Sequence, residues 1–247
     1  MFEGFSEETI RFFLELRFHN EVSFYKAHEE EYRQSVRDPF YSFIEALAPT
    51  VAAIAPDMEL RPAKCLARIR RDTRFTKDKS PFRDHLWLLF RRACEEKEHC
   101  VTFWFELSPE QCNWGLGFWG ENRPTMDLLR RDLREKPAEV EKALKRCKLP
   151  ANGLELAGDE YKRIAVPEGL GDTLSALYRK KSLYIQRNDV PMRMVYTPEI
   201  VDAFAADLLR LKPMYTYLRK LCDQAIAELD PKRACHNRKE SLRVIRL

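Results

Sequence analysis

Residues 100–119 read Cys-Val-Thr-Phe-Trp-Phe-Glu-Leu-Ser-Pro-Glu-Gln-Cys-Asn-Trp-Gly-Leu-Gly-Phe-Trp. Val101, Phe103, Phe105 and Leu107 alternate with Thr102, Trp104 and Glu106, the period of a strand with one apolar face. Ser108-Pro109-Glu110-Gln111 is a turn, after which Trp114, Leu116 and Phe118 alternate with Gly115, Gly117 and Trp119. Two alternating runs joined by a short turn are a β-hairpin. Gly115 and Gly117 leave one face bare. Strand glycine does this where a ligand or another backbone comes close; a neighbouring aromatic such as Trp104 or Trp119 folding over it is the plainer account.

Outward from the hairpin the period changes. On the N-terminal side, Ser6 starts a helix with acids in its first turn and an apolar stripe of Ile10, Phe13 and Leu14. Asn20 is the expected cap of a second helix, with Val22, Tyr25, His28, Tyr32 and Val36 on one face. Asp38-Pro39 opens a third, which ends before Pro56. Cys65 to Phe75 predicts a strand with Ala67, Ile69, Arg71, Thr73 and Phe75 to one side and Arg68, Arg70, Asp72 and Arg74 to the other. A polar loop, Thr76 to Lys79, leads to a helical turn at Ser80-Pro81 and a strand from Leu86 to Arg92.

On the C-terminal side, helices are expected from Pro124 and from Pro137 to about Cys147. A strand should follow at Tyr161–Val166, a helix from Asp172, and a short strand at Ser182–Arg187. A long helix from Pro198 should kink or break near Pro213. Helices, then strands joined mostly by short turns, then helices predict an α+β fold around a mostly antiparallel sheet. The expected organisation is a single domain over residues 1–230, with 231–247 as a basic, disordered extension.

Composition narrows the function classes. No apolar run of about 18 residues exists, so no membrane span is expected. The acidic start Met-Phe-Glu-Gly-Phe-Ser-Glu-Glu lacks a secretory pattern. Seven cysteines, an odd number without framework spacing, predict free thiols and a cytoplasmic location. Cys94, Cys100 and Cys112 with His99 lack zinc-knuckle spacing, so no metal site is predicted. There is no phosphate-binding Walker loop, no Gly-x-Gly-x-x-Gly turn and no Gly-x-Ser-x-Gly elbow, and no cofactor is predicted.

Charge is where the chain is least ordinary. Residues 61–83 hold nine Lys or Arg and two acids, a formal +7 in a chain that nets +4. The first 60 residues carry −7 and residues 231–247 carry +5. Cations this dense repel one another unless an anion sits among them. Arg68 and Arg74, with Lys79 and Arg83 beyond the loop, are candidates to grip phosphate or carboxylate, which the planar guanidinium binds bidentately. Asp72 would hold the guanidinium groups in position, and the Ser80-Pro81 turn would add backbone N–H groups. Lys162 or Arg163 could complete the pocket, only one of them pointing in if the segment is a strand. His85 is the better general-base candidate and His28 a core-boundary histidine. The alternative is structural: Asp72, Asp78 and Asp84 pair with these bases and pin the loop.

The run Arg71-Asp72-Thr73-Arg74-Phe75-Thr76-Lys77-Asp78-Lys79-Ser80-Pro81-Phe82-Arg83 resembles the signature of the bacterial family catalogued as domain of unknown function 2461. Gly115-Leu116-Gly117-Phe118-Trp119, Tyr161-Lys162-Arg163 and Lys181-Ser182-Leu183 resemble further elements of it in the same order. At Asn20-Glu21-Val22-Ser23-Phe24-Tyr25 an Arg-Glu pair usual in the family is absent. The resemblance implies a cytoplasmic α+β protein and supplies no catalytic residues. Two functional readings stand: a site for a phosphorylated or carboxylated small molecule, with or without catalysis, and a nucleic-acid or protein binding module. A pI near 8.6 and the acidic first 60 residues rank the second below the first.

Overall fold

Ser6 and Thr9 open the first helix, α1 (Glu7–Phe18), with a reciprocal cap. The Ser6 hydroxyl accepts from the Thr9 N–H at 3.4 Å, and the Thr9 hydroxyl accepts from the Ser6 N–H at 3.3 Å. Phe12, Phe13 and Leu16 form its buried face, while Leu14 is largely outside. The next segment is not one helix. In the computed structural model, which describes residues 1–93, 95 and 99–232, it runs as α2 (Val22–Ala27), α3 (Glu29–Tyr32) and a π-helical turn (Arg33–Arg37). These lead into α4 (Asp38–Ile54), with Pro39 in its first turn. Asn20 caps none of them. Its side chain is committed to residue 82, donating to the Phe82 carbonyl at 3.1 Å and accepting from the Phe82 N–H at 2.9 Å.

The remaining elements are α5 (Pro62–Cys65), β1 (Leu86–Phe90), β2 (Val101–Leu107), β3 (Cys112–Phe118), α6 (Arg123–Glu135) and α7 (Pro137–Cys147). After them come β4 (Glu155–Ala157), α8 (Asp172–Arg179), β5 (Tyr184–Arg187), α9 (Met192–Val195) and α10 (Glu199–Leu229). The five strands form one antiparallel sheet in the order β1-β2-β3-β5-β4. The architecture is α+β, helices before and after a central sheet. No helix among the described residues is long and apolar enough to cross a membrane.

The hairpin alternation sorts the faces as the sequence implies. Leu88, Phe103, Phe105, Leu107, Trp114, Leu116 and Ile185 are fully buried on the inner face. They pack on α4 and α10: the Phe105 ring lies 4.7 Å from Phe43 and 5.8 Å from Phe204, and Phe103 lies 5.0 Å from Tyr215. Beneath the sheet, Asp207 of α10 accepts from the Trp114 indole at 2.9 Å and from Arg187 and Arg210 at 2.7 Å. The outer face carries Trp87, Leu89, Trp104, Glu106 and Asn113, none of them fully buried. Gly115 and Gly117 serve β5. A methyl group on Gly117 would sit 2.5 Å from the Leu183 carbonyl oxygen and 2.7 Å from Tyr184 Cα, and one on Gly115 would collide with the Ile185 carbonyl.

Several expectations are corrected here. Cys65–Phe75 is not a strand. Leu66 bridges to Leu88 and Arg70 to Phe82, with no continuous ladder between. The segment pairs first with β1 and then with the residues that lead into β1, so neither partner lasts. Ser80-Pro81 starts no helical turn; the Ser80 N–H is taken by Asp78 Oδ1 at 2.9 Å. Tyr161–Val166 is irregular, and the strand on the side of β5 away from β3 is the three-residue β4. α10 passes through Pro213 unbroken. The carbonyl deprived of its partner belongs to Leu209, on the exposed side where water can serve it. Of the basic extension, residues 233–247 lie outside the described residues.

Candidate functional site

Residues 71–81 form a loop beyond the short stretch that bridges the outer edge of β1 at Leu66–Leu88. Its base is closed by the Arg70–Phe82 bridge, by Arg71 N–H to the Pro81 carbonyl at 2.8 Å, and by Arg83 N–H to the Ile69 carbonyl at 2.9 Å. Asn20 clamps Phe82 from behind, and the Tyr25 ring stacks on Phe82 at 4.5 Å.

Inside the loop most polar groups are spent on one another. Asp72 chelates Arg74, taking Nε at 2.9 Å, Nη2 at 2.7 Å and the backbone N–H at 3.2 Å. Asp78 pairs with Arg71 and caps Ser80. Lys79 donates to the Thr73 carbonyl at 2.8 Å, and the Thr76 hydroxyl to the Asp78 carbonyl at 2.7 Å. The hydrogen bonds with Arg74 hold the Asp72 carboxyl down at about 2; those with Ser80 and then Arg71 do the same for Asp78. Asp72, Arg74, Asp78 and Lys79 therefore hold the loop's shape. Asp84 is outside this set, 2.5 Å from Arg17 and 3.0 Å from His85 Nδ1.

Behind the loop lies a cleft of about 540 Å³, lined by Arg68, Arg70, Arg83, Arg91, Trp87 and Leu89 among others. Arg71 and Arg74 on its wall are paired with Asp78 and Asp72, whereas Arg68, Arg70, Arg83 and Arg91 have no carboxylate partner among the described residues. Arg68 and Arg70 are exposed and make no side-chain hydrogen bond or ion pair among the described residues. Arg83 is half-buried, donates one nitrogen to the carbonyls of Arg68 and Arg70 at 2.7 Å, and lies 4.7 Å above the Trp87 ring. Burial, and then nearby Arg71, push its guanidinium below the ordinary value. Arg91 donates to the carbonyls of Arg92 and Glu95. Asp72, the acid on the cleft wall, is already occupied by Arg74.

The outer sheet face continues from the cleft. Trp87 stacks with His85 at 5.7 Å and with Trp119 at 5.6 Å. Glu106 lies 3.9 Å from His85 Nε2. Burial raises its carboxyl above the usual value, and the nearby His85 opposes this only in part. Asn113 is paired in register with Glu106, and its buried Oδ1 has no hydrogen-bond partner among the described residues. Trp87, Glu106 and Asn113 are the residues the sequence reading missed. The signal was present, because all three sit at outward positions of strands whose alternation is plain.

Lys162 and Arg163 do not join this site. They follow Glu160, which bridges to Lys180 ahead of β5, and the strand order places that stretch toward the edge opposite β1. Both are exposed and neither lines the cleft. A larger cavity, about 1000 Å³, lies between α7, β4 and α8, walled by Leu144, Leu149, Leu154, Leu156 and Leu174. It holds none of the predicted site residues. Arg92 is another matter: it is buried against Asp223 at 2.5 Å and Asp57 at 3.4 Å and ties the end of β1 to α10.

The family described as conserved hypothetical protein (DUF2461) matches residues 8–217, and the chain belongs to it. Among curated proteins no match was found.

Proposed function

We propose that this member of the family binds a small phosphorylated or carboxylated molecule in the cleft behind the 71–81 loop. The observation that carries the reading is the set of guanidinium groups without carboxylates: Arg68, Arg70, Arg83 and Arg91 around one cleft. A half-buried cation without a counterion is costly, and an incoming anion removes that cost. Trp87 and Leu89 add an apolar wall, the usual partner of a few converging polar groups in a ligand pocket. His85 and Glu106, at the far side of Trp87, would be the groups to move a proton if a reaction follows binding.

The test is a thermal-shift series with inorganic phosphate, pyrophosphate, nucleotides and sugar phosphates at matched ionic strength. At least one should raise the melting temperature by a few degrees. The double variant Arg68→Ala/Arg70→Ala, altering two exposed side chains, should keep the fold and lose the shift. No shift with any anion, or an undiminished shift in the double variant, overturns the reading.

A further inference from the structure

Phe75 is 90% exposed, at the turn of a loop whose neighbours are tied down. The Arg71–Asp78 and Asp72–Arg74 pairs and the Lys79 bond to Thr73 all act within the loop and leave this one ring outside. The Arg74 guanidinium lies 5.5 Å from the ring centre. Lys77, on the same loop, is exposed and without an ion pair among the described residues. From Phe75 the chain leads back to Arg70 over at most about 17 Å and to Arg68 over at most about 24 Å of extended backbone, the span of a few nucleotides. The loop thus joins one displayed ring to a run of cations ending in an anion cleft.

We propose that the 71–81 loop and the cleft behind it bind single-stranded nucleic acid, with a base stacked on Phe75 and the adjoining phosphates on Arg70 and Arg68. This rests on the cleft's being an anion site and goes beyond the small-molecule reading, the phosphates being those of a strand. An aromatic ring among unpaired cations is the pairing that single-strand binders use, one ring per base and cations along the backbone. An anionic bilayer fits less well. Its grip grows with apolar area inserted, and residues 71–81 hold no exposed large apolar side chain besides Phe75. A protein partner would need a wider apolar centre than one phenyl group.

The experiment uses the full chain and fluorescein-labelled oligouridylate and oligothymidylate of about twelve nucleotides, followed by anisotropy between about 50 and 200 mM salt. Binding should weaken as salt rises. Phe75→Ala should weaken it roughly ten-fold and Phe75→Trp should preserve it. Arg68→Ala/Arg70→Ala should flatten the salt dependence. Absence of binding at low salt overturns the proposal, as does a Phe75→Ala variant that binds like the parent, which would assign the binding to the basic C-terminal residues. Co-sedimentation with phosphatidylserine vesicles that depends on Phe75, without oligonucleotide binding, replaces it with a membrane surface. A phosphate-induced thermal shift that persists while oligonucleotides fail to bind overturns this proposal alone and leaves the anion cleft standing.

Discussion

Asp207 shows how one carboxylate can hold a sheet to a helix. It is fully buried, so desolvation pushes its carboxyl up. Hydrogen bonds from Arg187, Trp114 and Arg210 outweigh that and leave it below the ordinary value. Replacing it with Asn removes the anion that Arg187 and Arg210 share beneath the sheet, leaving Arg187 only the carboxylate of Asp189 at 3.2 Å. Asp207→Asn should cost about 3 kcal/mol in urea unfolding at neutral pH. The sign with pH follows from the lowered folded value. The carboxylate's stabilisation is complete above the unfolded Asp pKa of about 3.9 and disappears as pH falls through the folded one. The gap between parent and variant should therefore narrow in acid. An equal gap at pH 7 and at pH 3 would mean that charge is not what Asp207 contributes. At this scale Asp207 was not legible. An aspartate in a helical stretch reads as a solvent-facing residue, and only the tertiary approach of Trp114 and Arg187 makes it a core group.

At the scale of elements, the hairpin at residues 101–118 was legible because its period of two is strict and its turn is short. The stretch before β1 was misread because its pairing is shared between two short partners and set by Asn20, some sixty positions away in sequence. β4 is three residues long, too short to show any period. Two substitutions test how elements meet. Gly117→Ala would drive a methyl group into the Leu183–Tyr184 backbone, so β5 must move off β3. We expect a loss of about 2–3 kcal/mol in unfolding free energy, and a cost below about 0.5 kcal/mol would show that the strands have slack. Pro213→Ala restores a donor to an otherwise continuous helix. It should raise stability by about 1–3 kcal/mol, measured by the same denaturation; a loss would mean that a bend at Pro213 is needed to fit α10 on the sheet.

Across the whole molecule, the sequence located the cationic loop but could not separate cations that hold it from cations that face outward. Arg74 and Lys79 looked like ligand grips and are tied within the loop, whereas Arg70 has no carboxylate partner among the described residues. That division depends on which carboxylate reaches which base, a matter of folded geometry alone. Thiols give a global check on packing. Cys65, Cys100, Cys112, Cys147 and Cys222 are free and buried, and burial pushes the Cys65 and Cys222 thiols up to about 12. A brief iodoacetamide pulse followed by peptide mapping should leave these five unlabelled until denaturant is added. Labelling of Cys65 in the native state would show that the α5 region opens readily. α10 has a consequence for how the protein is made. It covers the inner face of β2 and β3, yet it leaves the ribosome after every strand has already emerged. Until α10 arrives, Phe103 lacks the Tyr215 ring that covers it, and Phe105 has Phe43 of α4 but not Phe204. The nascent sheet must wait with part of its apolar side uncovered, so a helper that shields hydrophobic surface during synthesis should matter more for this chain than for one whose core closes early.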